Sequence, residues 1–496
     1  MAELLQQSFL KIHPRDNVFV ALQNLPSGTQ IDTGNTEFIL AENIGAKQKF
    51  FISPMNAGDE VFMYGVLVGK TQLPVAKGGL MTTSNTKHAA EAYAYRGTHF
   101  NWQSPDVSHY ENKTFQGYQR SDGRVGTANY WLFIPMVFCE NRNLDVIKEA
   151  LWNELGYAVT DKYKRFTKQL FAAYRSGEDI MESQFDLSPT HKTDRYFSNV
   201  DGIKFLNHTG GCGGTRQDSD TLSALLSAYA DHPNVGGVTV LSLGCQHLQV
   251  SNFMNDLKKR NPSFNKPLYV FEQQKSLSEE ALICDAIRKT FLGLAEINQQ
   301  ERVPAPLNKL CIGVKCGGSD GFSGISANPA VGYASDLLVA LGGKVLLAEF
   351  PELCGAEQEL IDRSVNKNVA EKFISLMESY NQEAKNAGSG FDMNPSPGNI
   401  KDGLITDAIK STGAARKGGT SPVVSVLDYT EQVKEPGLSL VCTPGNDVEA
   451  TTGKAAAGAT LILFTTGLGT PTGNAVAPTI KIATNSSLAK RMSDII

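Results

Sequence analysis

The sequence lacks the features of membrane proteins and of nucleic-acid-binding proteins. It has no apolar run of roughly eighteen residues, the length that a membrane-spanning helix needs. The N-terminus, MAELLQQSFLKIHPRDN, lacks the basic and apolar regions of a signal peptide. The formal net charge is −5, so there is no basic excess to attract nucleic acid or an anionic membrane. We therefore expect a cytoplasmic protein that binds neither.

Paired cysteine motifs are also missing, although the chain contains 8 cysteines. None shows the CxxC spacing of a zinc site, and a reducing cytoplasm disfavours disulfides. Four of them lie in apolar runs such as KLCIGV, where cysteine behaves as a small buried hydrophobic residue: Cys284, Cys311, Cys354 and Cys442. Three instead lie beside glycine at the end of an apolar run, where a loop could present them to a site: Cys212, Cys245 and Cys316.

The chain does contain enough apolar sequence for several domains. Its 496 residues are 41% hydrophobic and 20% charged, close to the average of globular proteins. Within residues 1–90, short apolar runs are separated by polar turns such as NLPSG, which predicts a small all-β domain. Residues 91–115 show no periodicity, and we interpret them as a linker.

Alternating strand and helix patterns fill the rest of the chain. Over residues 116–300, apolar segments such as YWLFIPMVF alternate with amphipathic segments such as NLDVIKEALWNEL. The alternation resumes over residues 301–496, after the boundary segment QERVPAP. Because this order is typical of βαβ units, we predict an α/β region in two parts with mostly parallel sheets.

Glycine-rich or polar segments directly follow several predicted strands. The most unusual is KCGGSDGFSGISANPAVG, residues 315–332. Open α/β sheets bind ligands at the carboxyl ends of their strands, and glycine lets backbone amides approach a ligand closely. We therefore predict a site at these strand ends. In residues 315–332 the side chains available for chemistry are Cys316, Ser319, Asp320 and Asn328.

Long blocks of the sequence resemble the altronate and galactarate dehydratases, enzymes of the hexuronate and aldarate pathways. The blocks include KIHPRDNVFVAL, FQGYQRSDGRVGTANYW, NHTGGCGG, NPSPGN, TPGNDVEAT and FTTGLGTPTGNAVAPTIKIATN. The resemblance implies an SAF-type fold for residues 1–90 and a hydro-lyase reaction on a sugar acid. It also implies that the chain stops short of its relatives, so we expect a truncated C-terminus.

The segment EFPELCGAEQEL is more similar to the altronate branch of this family. The implied reaction is therefore conversion of D-altronate to 2-dehydro-3-deoxy-D-gluconate and water. The alternatives are dehydration of another aldonic or aldaric acid such as galactarate, and elimination from a related sulfo-acid. The expected partner is a small sugar acid, and the sequence leaves open whether the chain forms a homo-oligomer.

The resemblance further implies an iron cofactor, as Fe²⁺ or as an iron–sulfur cluster, with Mn²⁺ as an expected substitute. Thiolates favour soft metals and cluster iron, so one ligand set is Cys212, Cys245 and Cys316. The alternative is a single Fe²⁺ held by His208, Asp320, Glu349 and Glu352. The sequence leaves both sets open.

The implied reaction needs acid–base groups and groups that bind the sugar acid. The resemblance implies that the small domain covers the site, and the catalytic candidates are His13, Asp16, Asn17, His208 and Asp320. Histidine suits this role because it titrates near neutral pH. Arginine binds carboxylates through two parallel hydrogen bonds, which predicts a substrate clamp at Arg120, Arg124 and Asn129. Further substrate contacts are expected from Ser319, Asn328, Asn399, Asp447, Thr466, Thr470 and Lys481.

Overall fold

The structure is a computed structural model that describes residues 8–34, 37–97, 100–158, 162–185 and 195–496. The chain forms two compact units. The first unit combines Met1–Gln116 with Pro304–Ile496, and the second is Gly117–Val303. Within the described ranges, no helix combines the length and the apolar character needed to cross a membrane.

The N-terminal part of the first unit is built from short antiparallel strands, as predicted. They form three small sheets, β1-β2-β5, β3-β4 and β6-β7-β8. The ring centroids of Phe19 and Phe50, on neighbouring strands of the first sheet, lie 5.5 Å apart, and Phe9 packs against both rings. The strands are β1 (Phe9–Leu10), β2 (Val18–Ala21), β3 (Gln30–Asp32), β4 (Glu37–Ile39), β5 (Lys49–Phe51), β6 (Glu60–Met63), β7 (Val66–Thr71) and β8 (Thr86–Lys87).

The apolar segment VFMYGVLVG, which looks like one strand in the sequence, is two strands in the structure. Met63 at the end of β6 pairs with Val66 at the start of β7. The residues between them, Tyr64 and Gly65, have φ angles of 59° and 83°. Two consecutive left-handed residues are typical of the tight turn that joins antiparallel strands. The turn therefore interrupts an apolar run that continues on both sides of it.

The second unit is a parallel four-stranded sheet covered by helices. The strand order is β12-β11-β13-β14, and every described pairing in this sheet is parallel. Trp131 on β11 is fully buried and stacks on Tyr269 of β14. The elements are β9 (Thr114–Gln119), β10 (Val125–Gly126), β11 (Tyr130–Pro135), α1 (Asn141–Glu154), α2 (Lys162–Ser176), β12 (Gly202–Phe205), α3 (Arg216–Asp231), β13 (Val235–Ser242), α4 (Val250–Arg260), β14 (Leu268–Glu272) and α5 (Glu279–Ile297).

The C-terminal part of the first unit contains a six-stranded sheet of order β18-β19-β17-β16-β20-β21. All its described pairings are parallel, which confirms the predicted α/β fold with parallel sheets. The strands and helices of this part of the chain, inside and outside the sheet, are β15 (Val303–Pro306), β16 (Cys311–Cys316), α6 (Ala327–Ala340), β17 (Lys344–Ala348), α7 (Glu357–Asp362), α8 (Lys367–Asn386), α9 (Pro397–Lys401), α10 (Asp407–Ala415), β18 (Val423–Leu427), β19 (Gly437–Val441), α11 (Asp447–Ala457), β20 (Leu461–Thr466), β21 (Thr479–Ala483) and α12 (Ser486–Arg491).

The two faces of this sheet bury different side chains. On one face Val314, Val345 and Leu347 pack in a core that also contains Val331 of α6 and Phe373 of α8. On the other face Leu346 and Ala348 pack with Ala457 of α11. Because strand residues alternate between faces, Gly313 and Lys315 of β16 lie on the α11 face. Gly313 has no side chain, and the methylene groups of Lys454 on α11 occupy that space.

Candidate active site

The carboxyl ends of the parallel strands in the first unit carry many of the residues predicted for the site. Cys316 ends β16 and precedes a glycine-rich loop, and Glu349 directly follows β17. Asp447 follows β19 as the first residue of α11, and Thr466 ends β20. The structure therefore brings together segments that are far apart in the sequence, as expected for an open parallel sheet.

Lys315 lies at the centre of this region, although the sequence analysis did not select it. Its side chain is only 1% exposed. Its Nζ donates to the Cys316 carbonyl at 2.9 Å, contacts the Glu349 carboxylate, and lies 3.0 Å from Oδ1 of Asp447. The signal in the sequence was a lysine inside an otherwise apolar strand, CIGVKC.

Three further lysines surround the same carboxylates. Lys410 Nζ lies 3.5 Å from Oε1 of Glu352, and Lys454 Nζ lies 3.9 Å from Oε2 of Glu349. Lys417 is close enough to act electrostatically on both glutamates. We call these residues the lysine–carboxylate cluster: Lys315, Lys410, Lys417 and Lys454 with Glu349, Glu352 and Asp447. With four ammonium groups and three carboxylates, the fully ionised cluster carries one excess positive charge.

The cluster shifts the pKa values of its members in different directions. Burial raises the pKa of Glu349, and the neighbouring Glu352 adds to the effect. Burial alone would also raise the pKa of Glu352, but Lys315 and Lys410 outweigh it and hold that pKa at about 2. Burial alone would lower the pKa of Lys315, but the surrounding carboxylates outweigh burial and raise this pKa above the usual range. Burial lowers the pKa of Lys454 to about 7.

The loop after β16 is fixed by a chain of hydrogen bonds through its predicted residues. Cys316 Sγ lies 2.8 Å from Oγ of Ser319 and 3.6 Å from Nδ2 of Asn328. Asn328 in turn donates to the Gly413 carbonyl and accepts from Thr465 at 2.6 Å. Asn399 donates to the Ser319 carbonyl at 2.9 Å. Cys316, Ser319, Asn328 and Asn399 are thus brought together, and they hold the loop beside the cluster.

Asp447, Thr470 and Lys481 form the more exposed side of the region. The side chain of Asp447 is 27% exposed, whereas that of its partner Lys315 is 1% exposed. Thr470 Oγ1 lies 3.4 Å from Asp447 Oδ2. Lys481 donates to the Thr472 carbonyl and lies over the Phe464 ring, and burial lowers its pKa to about 8. Asp447 is therefore the member of the cluster that meets solvent most openly.

Thr466 is fully buried, and its hydroxyl accepts a hydrogen bond from the Gly469 amide at 3.0 Å. That bond shapes the glycine-containing loop after β20. In this arrangement the side chain supports the loop rather than facing solvent.

The small β domain packs directly against this region within the first unit. Val61, Met63 and Val68 share one hydrophobic core with Ala408 and Ile409 of α10. Lys47 Nζ lies 3.0 Å from Oδ2 of Asp320, which is fully buried and also accepts from Thr484 at 3.1 Å. Asp320 therefore pairs with a lysine of the small domain, a contact that the sequence analysis did not predict.

His13, Asp16 and Asn17 occupy a turn of the small domain and bond to backbone groups nearby. Asp16 accepts from the amides of His13 and Gly65 at 2.9 and 2.8 Å. Asn17 bonds to the Glu60 carbonyl and the Phe62 amide, both at 2.8 Å. His13 is exposed, and its Nδ1 accepts from the Arg15 amide. In this structure these three side chains bond to backbone groups of the small domain itself.

The predicted arginine clamp lies in the second unit, where its donors bind the protein itself. Arg120 donates to the Pro233 carbonyl at 2.7 Å and to Asn129 Oδ1 at 3.1 Å. Burial lowers the pKa of Arg120 to about 10. Arg124 forms a salt bridge of 2.7 Å with Asp231, and Asn129 donates to the Asn199 carbonyl. These bonds anchor the start of β11.

The second unit also holds His208, Cys212 and Cys245. His208 Nε2 lies 2.7 Å from the Pro135 carbonyl, and its Nδ1 accepts from the Gly210 amide. Burial lowers the pKa of His208. Cys212 and Cys245 are both exposed, on loops that follow β12 and β13.

The residues predicted to hold iron do not fit a metal site in this arrangement. Among the described residues, no group of three or more histidine, cysteine or acidic side chains is placed to hold a metal ion. Ammonium groups already lie against the candidate carboxylates, Lys47 at Asp320 and Lys315 at Glu349. The Cys316 side chain is buried and hydrogen-bonded to the hydroxyl of Ser319.

Models of known protein families match three segments of the chain. Residues 7–89 match the model of the altronate/galactarate dehydratase SAF domain. Residues 117–298 match the second domain of D-galactarate dehydratase/altronate hydrolase, and residues 307–496 match the C-terminal domain of D-galactarate/altronate dehydratase. The resemblance found in the sequence blocks is thereby confirmed.

Individual relatives match over almost the whole chain. Altronate dehydratase of Bacillus subtilis (strain 168) is 33% identical over 97% of this chain and 88% of its own. Altronate dehydratase of Escherichia coli (strain K12) is 33% identical, again over 97% of this chain and 88% of its own. Galactarate dehydratase (L-threo-forming) of the same strain is 30% identical over 98% of this chain and 87% of its own. The chain therefore belongs to the altronate/galactarate dehydratase family.

Proposed function

We propose that this protein is a hydro-lyase that converts D-altronate to 2-dehydro-3-deoxy-D-gluconate and water. Family membership supports a sugar-acid dehydratase, and the relatives named altronate dehydratase are 33% identical to the chain. This substrate would place the protein in hexuronate catabolism in the cytoplasm. We propose that the reaction takes place at the lysine–carboxylate cluster of the first unit.

The observation that carries this proposal is the buried pair of Lys315 and Glu349 at the carboxyl edge of the sheet. Dehydration of a 2,3-dihydroxy acid removes the proton beside the carboxylate and places a second negative charge on the resulting enediolate. Such an intermediate needs fixed positive charge in a site that excludes water. Lys315 supplies it, because the surrounding carboxylates keep its ammonium protonated.

Glu349 is the proposed base. Its Oε2 is buried and, among the described residues, has no hydrogen-bond partner. Its raised pKa brings it closer to working pH, as general acid–base catalysis favours. Glu349 takes the C2 proton and returns it to the departing 3-hydroxyl, which leaves as water. The enol that remains then tautomerises to the 2-keto acid, so that all atoms are accounted for.

Asp447 favours an aldonic acid over an aldaric acid. It is the most exposed carboxylate of the cluster, and Thr470 beside it can bond to a hydroxyl group. A substrate whose carboxylate lies among the lysines would bring its far end toward Asp447. The far end of altronate is a neutral alcohol, whereas that of galactarate is a second carboxylate, which Asp447 would repel.

A substrate panel tests the proposal. D-altronate, galactarate and other C6 sugar acids should be incubated anaerobically with the protein, with and without Fe²⁺, and 2-keto acid formation measured. We expect D-altronate to give the highest kcat/KM. A preference for galactarate of tenfold or more would contradict the substrate assignment, and no turnover of any sugar acid would contradict the function.

A further inference from the structure

We infer that the side-chain ammonium groups of Lys417 and Lys454 form a buried subsite for a small carboxylate anion. The inference rests on the proposed function in one respect, because that function identifies the bound anion as the carboxylate of the sugar acid. Both lysines belong to the lysine–carboxylate cluster and act on its two glutamates. Both lysine side chains are fully buried.

The ammonium groups of Lys417 and Lys454 make no hydrogen bonds to the described residues. In the part of the chain that the structure describes, neither Lys417 Nζ nor Lys454 Nζ has a hydrogen-bond partner. The nearest anion to Lys454 is Glu349, and the 3.9 Å between Nζ and Oε2 is too long for a hydrogen bond. A buried ammonium without a partner is costly, so such groups are normally paired or bind a ligand.

Two other lysines of this protein, one fully buried and one partly buried, show how such ammonium groups are usually bound. Lys49 is fully buried, and its Nζ donates to the carbonyls of Gly403 and Lys47 at 2.6 and 3.0 Å. Lys266 Nζ donates to the carbonyls of His232 and Ala230 at 2.7 and 3.2 Å. Among the described residues, Lys417 and Lys454 have no such backbone acceptor, so their ammonium groups can still donate hydrogen bonds to a bound ligand.

The charge of the surroundings also favours an anion. Lys417 is close enough to Lys454 to lower its pKa, and Lys315 acts in the same direction. Glu349 and Glu352 are the acidic side chains that oppose them. The hydroxyls of Ser411 and Thr412 on α10 are also buried without a hydrogen bond among the described residues.

Binding of glycolate tests the subsite separately from turnover. Glycolate has the carboxylate and the 2-hydroxyl of a sugar acid but no 3-hydroxyl to lose, so it can bind without reacting. Its affinity should be measured by isothermal titration calorimetry for the wild-type chain and for Lys417→Met and Lys454→Met. We expect each substitution to weaken binding at least about tenfold, the loss typical of a charge-assisted hydrogen bond.

Thermal unfolding of the same variants adds a second, independent measurement. Methionine keeps the length of the side chain and removes an ammonium group that makes no hydrogen bond among the described residues, so Tm should stay level or rise. The matched control is Lys49→Met, which removes an equally buried lysine with two bound carbonyls. It should lower Tm while leaving the glycolate affinity of the folded protein unchanged. If a methionine variant does not fold, Lys417→Gln and Lys454→Gln replace it.

The outcomes separate this inference from the proposed function. Wild-type glycolate affinity in both lysine variants, or no glycolate binding by the wild-type chain, would overturn the subsite. A fall in Tm as large as that of Lys49→Met would also overturn it, because the lysines would then be structural partners. If glycolate binding behaves as expected but no sugar acid is turned over, the subsite stands and the proposed reaction is wrong.

Discussion

Replacement of Lys315 by methionine should destabilise the protein and abolish turnover. The substitution keeps the length of the side chain but removes the cation that contacts Glu349 inside the sheet edge. Glu349 is fully buried and Lys315 is 1% exposed, so water cannot take the place of the lost ammonium. Breaking one partner of such a buried pair typically costs about 3–5 kcal/mol.

The local structure sets the expected magnitude within that range. After the substitution, Lys454 Nζ remains 3.9 Å from Glu349 Oε2 and can compensate part of the lost interaction. Asp447, whose side chain is 27% exposed, can recover hydration. We therefore expect a loss near the lower end, about 3 kcal/mol in the free energy of unfolding.

A double variant separates the charge effect from packing. Lys315→Met combined with Glu349→Met removes both charges, and Lys454 can then lose its proton near neutral pH because burial holds its pKa at about 7. The double variant should recover to within about 1 kcal/mol of the wild-type stability and remain inactive. As a matched control, Lys372→Met removes an exposed pair of 2.8 Å with Glu431 and should cost less than about 1 kcal/mol.

Urea unfolding followed by circular dichroism measures these differences, and 2-keto acid formation from D-altronate measures activity. Two results would refute the reasoning. One is a Lys315→Met variant whose stability is within about 1 kcal/mol of the wild type. The other is a double variant that is no more stable than the single one.

Three further predictions concern specificity, pH dependence and metal. Asp447→Asn should raise kcat/KM for galactarate relative to D-altronate by about three- to tenfold, because one partly screened repulsion disappears; an unchanged ratio would contradict the role of Asp447. Burial raises the pKa of Glu357 from 4.5 to about 7, so the folded state binds a proton over that interval and stability falls as pH rises through it. Glu357→Gln should therefore be about 3 kcal/mol more stable than the wild type near pH 8 and equal to it near pH 4 in urea unfolding, and equal pH profiles would contradict this assignment. Cys316→Ser should keep whatever iron content the wild-type chain shows by metal analysis after anaerobic purification, because Cys316 is bonded to Ser319; loss of iron would restore the cysteine hypothesis.

The architecture could be predicted from the sequence because apolar periodicity, and the alternation of strand and helix patterns along the chain, are local signals. Segments such as YWLFIPMVF and KVLLAEF are strands in the structure, at β11 and β17, since both are buried in parallel sheets and read as continuous apolar runs. The hairpin turn at Tyr64 was missed because a left-handed tyrosine has no strong sequence signature. QERVPAP contains the strand β15, and the division between the two units falls inside this segment, between Val303 and Pro304.

The site was predicted in outline only. The sequence selected Glu349 as a candidate iron ligand and Asp447 as a substrate contact, and the structure places both after strands of the six-stranded sheet. The sequence analysis missed Lys417 and Lys454, since a lysine on a helix normally indicates a solvated surface. Lys454 packs from α11 across Gly313, and that long-range contact has no local signal. Likewise, Nε of Arg120 donates to the Pro233 carbonyl, which is 113 residues away in the sequence.

The central claim is that Glu349 performs proton transfer at the edge of the six-stranded sheet. The most direct measurement is the rate of 2-keto acid formation from D-altronate by Glu349→Gln, compared with the wild type and with Glu357→Gln, another buried glutamate of the same unit. We expect Glu349→Gln to lose about a hundred- to ten-thousandfold in kcat, the contribution of a general base, while Glu357→Gln stays within about threefold of the wild type. A folded Glu349→Gln variant that retains a tenth or more of the wild-type kcat would contradict the account.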